Sequence, residues 1–138
     1  GCAGRRHFRK HRRALEEVVS AANKAKGSRW ERDLEEYLNS SGVKARRLPR
    51  AGSKDIGDVA IELKSGRVIV IEAKDVKVPN MADWLRQAHL EAAHYGDKYD
   101  VDTYGVVAQK TRMKGTGGAR VTLTVDTLLE LLRWEGLS

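Results

Sequence analysis

The sequence predicts an α/β domain with a central, mixed, five-stranded sheet flanked by helices and preceded by a basic N-terminal helix. Three observations predict it. Patterned segments run helix, helix, three strands, helix, two strands, helix, an order that places helices against a sheet. Residues 57–63 and 67–74 are apolar at alternate and intervening positions alike, as in strands covered on both faces. The chain has 138 residues, 41% of them hydrophobic, which suits one domain with a substantial core.

Each element has its own signal. Residues 5–26 read as a helix with Phe8, Leu15, Val18, Val19 and Ala22 near one face. Lys26-Gly27 is expected to break it. Ser28 then resembles an N-cap for a second helix striped by Trp30, Leu34, Tyr37 and Leu38 and ended by Asn39-Ser40-Ser41-Gly42. Val43 to Pro49 reads as a strand and Arg50 to Lys54 as a loop. A hairpin follows around Lys64-Ser65-Gly66. Asn80 is expected to cap a helix with Met81, Trp84, Leu85, Ala88, Ala92, Tyr95 and Tyr99 on one face. Thr103 to Ala108 is a strand, Lys110 to Gly118 a basic, glycine-rich loop, and Arg120 to Val125 the last strand. Asp126 is expected to cap a closing helix whose Leu128, Leu129, Leu131, Leu132 and Trp134 read as core, with some of them open to a dimer contact. No internal repeat is visible.

Charge divides the chain into a basic helical arm, residues 1–26, and a domain, residues 27–138. The arm holds eight Lys/Arg and two Glu, a net +6, and the remainder holds eighteen and seventeen, a net +1. Such an arm suits a polyanion, although a solvated tail has the same composition. No apolar run approaches the roughly 18 residues a membrane helix needs. The single cysteine, Cys2, excludes an internal disulfide framework and fits a reducing compartment. With His7 and His11 it makes at best half a zinc site. The Lys110–Gly118 loop lacks the order of a P-loop, His89 and His94 do not form HExxH, and no Ser-His-Asp arrangement is apparent.

The candidate site lies on the central hairpin. With Lys64-Ser65-Gly66 as a three-residue loop, Gly66 takes the left-handed position. Leu63 then faces Arg67, Glu62 faces Val68, Ala60 faces Val70 and Asp58 faces Glu72. Directly opposed Cβ atoms stand about 4.5–5.5 Å apart, so two carboxylates there can share one cation. Glu72 and Lys74, two apart on a strand, point to the same face. Acids and a lysine on a buried face are costly unless paired or metal-bound. Oxygen-only ligands with open positions suit Mg²⁺ or Mn²⁺ beside a phosphodiester. Lys74 can hold the attacking water, or act as base if burial lowers its pKa. The structural alternative is a simple ion pair of Lys74 with Glu72 or Asp58.

These residues resemble the PD-(D/E)xK nuclease superfamily and, within it, the archaeal-type Holliday junction resolvases. Lys26-Gly27-Ser28-Arg29-Trp30-Glu31-Arg32-Asp33-Leu34 is similar to the family's opening helix. Arg47-Leu48-Pro49-Arg50-Ala51-Gly52-Ser53 is similar to its strand and loop, with serine after rather than before glycine. Gly57-Asp58-Val59-Ala60 matches the second motif, with Gly57 where proline is usual. Ile71-Glu72-Ala73-Lys74 matches the third, and Trp84-Leu85-Arg86-Gln87-Ala88 the glutamine-bearing helix that often follows.

The resemblance covers about residues 26–108 and implies a restriction-endonuclease-like core. It implies Asp58 and Glu72 as metal ligands, with Glu31 supporting metal or water, and Lys74, Glu31 and Gln87 as the catalytic set. From spacing alone, Ser28-x-x-Glu31 fits a capping box equally well. The resemblance further implies Mg²⁺, replaceable by Mn²⁺, a DNA substrate, a homodimer, and the cytoplasm of a prokaryotic or phage-infected cell. Basic and polar residues expected to contact DNA are Arg9, Arg12, Arg13, Lys26, Arg29, Arg50, Ser53, Lys54, Arg112 and Lys114. The leading expectation is cleavage of four-way junctions. The rivals are a restriction-type or repair endonuclease or exonuclease acting on linear or flapped DNA, and a DNA-binding module without catalysis.

Overall fold

A computed structural model describes residues 2–50 and 55–136, with side chains from residue 13 onward except at 19 and 20. The chain opens with helix α1 (Cys2–Ser40), followed by strands β1 (Lys44–Arg47), β2 (Val59–Glu62) and β3 (Val68–Lys74). Helix α2 (Met81–Tyr99) leads to β4 (Thr103–Gln109), a short 3-10 turn (Thr116–Gly118), β5 (Arg120–Thr122) and helix α3 (Val125–Trp134). The strands form one five-stranded sheet in sequential order. β3 and β4 are parallel, joined by the α2 crossover, and the other neighbours are antiparallel. This is the mixed α/β architecture read from the sequence.

Both sheet faces are covered. Val59, Ile71, Val106 and Ala108 pack with Trp30 and Leu34 of α1. Ala60, Val68 and Val70 pack with Ala92 and Tyr95 of α2. Alternation along β2 and β3 sends successive side chains to these two layers. Val59, Val70 and Val107 are completely enclosed. Among the described residues, no helix is long and apolar enough to cross a membrane.

Several local expectations are corrected. α1 is one continuous helix of 39 residues, and Lys26-Gly27 does not break it. A helical glycine costs about 1 kcal/mol against alanine, and the burial of Trp30 and Leu34 just beyond it outweighs that. Ser28 is therefore mid-helix and caps nothing. α2 begins after Asn80, but the Asn80 side chain makes no capping hydrogen bond. α3 is capped by Thr124, whose hydroxyl accepts from the Thr127 N–H at 3.2 Å, with Asp126 already inside the helix.

The closing helix is not core. Leu128, Leu129 and Trp134 are exposed, and Thr127 is its buried residue. α3 meets the body chiefly at β4. Its end is tied to the hairpin turn through Glu135, which accepts from Ser65 Oγ at 2.6 Å and Tyr104 Oη at 2.8 Å.

Candidate active site

The hairpin has the expected three-residue turn. Leu63 N–H donates to the Arg67 carbonyl at 2.9 Å, and Gly66 has φ +93°. Ala60 aligns with Val70 and Glu62 with Val68. The final expected pair, Asp58 opposite Glu72, is modified. Regular pairing stops at Val59 and Ile71, and the Asp58 N–H also reaches the Ile71 carbonyl at 3.0 Å. Two residues thus face one, the offset a β-bulge produces. Gly57 permits it with φ +101°. The offset re-aims the Asp58 side chain, whose Oδ2 accepts from the Ala73 N–H at 2.9 Å.

Around Asp58 three elements converge. Glu31 (4% exposed) comes from α1, and Asp58 (5%) and Glu72 (5%) come from the hairpin. The Arg50 guanidinium bridges two of them, 3.6 Å from Glu31 Oε2 and 3.7 Å from Asp58 Oδ1. Arg47, missed as a site residue, lies 4.0 Å from Glu31 and donates to Ser28 Oγ at 2.9 Å. Glu31 therefore faces the carboxylate cluster and two arginines, and the capping-box reading is removed with the N-cap itself.

Lys74 sits at the other end of the group. Its Nζ lies 3.1 Å from Glu72 Oε1 and donates to Gln87 Oε1 at 3.2 Å. The ammonium also stands 5.8 Å from the centre of the Trp84 ring. Gln87, one turn beyond Trp84 on α2, thus reaches the lysine as a direct partner. The simple Glu72–Lys74 ion pair exists, but it leaves Glu72 Oε2 buried with no hydrogen-bond partner.

Electrostatics mark the cluster. Burial, then the charge of Glu72, pushes the Asp58 carboxyl up from 3.8 to about 8, despite the opposing Ala73 N–H. Glu91, on the buried face of α2, is shifted upward by burial and then by Glu72. The sequence reading missed Glu91, yet Trp84, Ala88, Glu91 and Tyr95 follow helical spacing on one buried stripe. A charge on that stripe was the available signal.

The donor set fits a hard cation. The donors are all oxygens, and Glu72 Oε2 is orphaned, while the Arg50 guanidinium offsets part of the charge of Glu31 and Asp58. Among the described residues, no three acidic, histidine or cysteine side chains stand ready-made as a metal cluster. A cation held by Asp58 and Glu72, with water or a phosphate oxygen completing its shell, matches the habits of Mg²⁺, which takes one or two carboxylates.

The expected DNA contacts are dispersed. Lys26 pairs with Asp75 at 3.6 Å. Arg13, Arg29, Arg112 and Lys114 are exposed. The 110–119 connection leaves the sheet beside the site, since the Lys110 N–H donates to the Lys74 carbonyl at 2.9 Å. Ser53 and Lys54, and the side chains of Arg9 and Arg12, lie outside the described residues.

A mixed sheet between two helical layers, with acids and a lysine gathered at the ends of β2 and β3, defines the restriction-endonuclease-like fold with a PD-(D/E)xK-type motif. The family model for archaeal Holliday junction resolvases matches residues 22–88, and over that span the chain is similar to that family. The match contains Glu31, Asp58, Glu72, Lys74 and Gln87 and ends before Glu91. No curated protein matches the chain.

Proposed function

We propose that this protein is a metal-dependent, structure-selective endodeoxyribonuclease that resolves four-way DNA junctions by paired phosphodiester hydrolysis. The observation that carries this reading is the convergence of Asp58 and Glu72 beside Lys74, with an orphaned carboxylate oxygen among them. The resolvase family match supports the choice of substrate.

Asp58 and Glu72 would hold Mg²⁺, or Mn²⁺ in its place. When bound, the cation polarises the phosphate and stabilises charge on the leaving oxygen. Gln87 and Glu72 fix the Lys74 ammonium at the cluster, where it orients the attacking water and offsets charge that develops on the phosphate. Glu31 steers Arg50 and Arg47 toward the same point. Symmetric resolution requires two such sites, hence a homodimer. The exposed Val125, Leu128, Leu129 and Trp134 of α3 give a second copy apolar surface to cover.

The test incubates a labelled four-way junction and a matched linear duplex with wild type and Asp58→Asn, in Mg²⁺ and in EDTA. Paired, metal-dependent nicks confined to the junction and lost in the variant are expected. Equal cutting of both DNAs would move the substrate assignment to linear or flapped DNA. Tight binding without cutting in Mg²⁺ or Mn²⁺ would leave a binding module.

A further inference from the structure

The geometry points to Glu91 as a cation ligand: with Glu72 it forms a second divalent-cation position on the α2 side of the site. The inference rests on the hydrolytic reading of Asp58, Glu72 and Lys74 and adds a ligand from outside the family match.

Glu91 lies on α2 and is 2% exposed. Both its carboxylate oxygens are buried without a hydrogen-bond partner, as is Glu72 Oε2. Glu72 is close enough to act on Glu91 electrostatically and through its side chain. Three orphaned carboxylate oxygens therefore share one buried corner. Buried polar atoms in folded proteins are almost always satisfied, and an exception calls for a missing partner. The described residues offer none here. Among the described residues, no Lys, Arg or His stands within ion-pair distance of Glu91. Lys74 is committed to the other oxygen of Glu72 and to Gln87.

A shared proton satisfies one contact between two carboxyls and leaves the remaining oxygens bare. A divalent cation engages both groups and completes its shell with water. Asp55 also acts on Glu91. It is solvent-exposed, with Oδ1 accepting from the Gly57 N–H at 3.0 Å. The oxygen-only donor set selects Mg²⁺ or Mn²⁺ over zinc or copper. Glu72 would then be the carboxylate common to both positions, and the pair of ions would supply charge stabilisation for phosphodiester hydrolysis.

The test is Mn²⁺ binding to the full chain without DNA, read from the electron paramagnetic resonance signal of free Mn²⁺. Wild type, Asp58→Asn, Glu91→Gln and Glu91→Ala are compared, with circular dichroism confirming their fold. Wild type is expected to bind two ions per chain, each Glu91 variant one, and Asp58→Asn to keep the Glu91-dependent one. One ion in wild type that is lost in Asp58→Asn and unchanged in both Glu91 variants overturns the role of Glu91 alone. No Mn²⁺ bound by any of the four proteins overturns the hydrolytic reading as well.

Discussion

The indole N–H of Trp30 donates to the carbonyl of Ala108 at 3.2 Å, a buried bond between residues 78 apart in sequence. It pins α1 across the sheet to β4 and thereby sets the place of the next residue, Glu31. Trp30→Phe keeps much of the ring and removes the donor. We expect a loss of about 1–3 kcal/mol, the usual cost of stranding a buried acceptor, measurable by urea unfolding. An unchanged midpoint would show that the bond contributes nothing.

Gly57 holds the bulge that aims Asp58. Its φ is +101°, and a Cβ there would stand 2.5 Å from Val70 Cγ1. Gly57→Ala is expected to cost about 1–3 kcal/mol from backbone strain alone, with further loss from the clash. Proline, the residue usual at this family position, is fixed near φ −65° and cannot adopt this conformation. Equal thermal stability of wild type and Gly57→Ala would contradict the described turn.

Acidity should stabilise the metal-free protein. Folding raises the Asp58 carboxyl from 3.8 to about 8, so the folded state binds the extra proton between those values. Its contribution is complete below pH 4 and is lost as pH rises through about 8. Glu91 acts in the same direction. In EDTA the Tm should be lower at pH 8 than at pH 5.5, and Asp58→Asn should flatten the fall. Mg²⁺ should recover stability at pH 8 by binding the ionised form. A wild-type Tm that rises toward pH 8 in EDTA would reverse this picture.

Lys74 and Gln87 should separate in kinetics. Lys74→Ala removes the ammonium, and single-turnover cleavage is expected to fall by about 10²–10³, the range for losing one positioned electrostatic group. Gln87→Ala leaves Lys74 paired with Glu72, so a smaller fall, about tenfold, is expected. Junction affinity should be nearly unaltered in both. A Gln87→Ala defect as large as that of Lys74→Ala would make the glutamine a direct participant.

The basic first segment should govern salt response. If it neutralises about six phosphates, log K falls with log salt at a slope contribution near −5. Deletion of residues 1–25 should make the slope shallower by up to about that amount, as read by fluorescence anisotropy across a salt series. An identical slope would remove the segment from the DNA interface.

Much of the site was legible because strand periodicity is simple. The turn at Gly66 set the hairpin register, and that placed Asp58, Glu72 and Lys74 at one end of the sheet. The bulge was not legible: Gly57 looked like a substitution at a proline position, and its positive φ arises only from chain geometry. The continuity of α1 was hidden by two local signals, Gly27 and Ser28, that tertiary burial of Trp30 and Leu34 overrides. Glu91 was passed over because a glutamate on a helix ordinarily faces water, and only packing reveals that its stripe is closed. The leucines of α3 misled in the opposite sense, since apolar spacing reports a face to be covered without saying by what.

The unbroken α1 changes what the basic segment is able to do. A flexible tail would only raise the local concentration of DNA, with no preferred direction. Residues 2–25 instead belong to a helix that is anchored at Trp30, and at about 1.5 Å per residue they extend roughly 36 Å. Every described side chain from 13 to 18 and from 21 to 25 is exposed along it. On the proposed reading the segment would act as a ruler, with a reach of about ten nucleotide steps at 3.4 Å each along a bound duplex. Helical register, and not charge alone, would then decide which duplex arm of a branched DNA it can grip. Inserting a single alanine near residue 25 would rotate that grip by about 100° while leaving the net charge untouched.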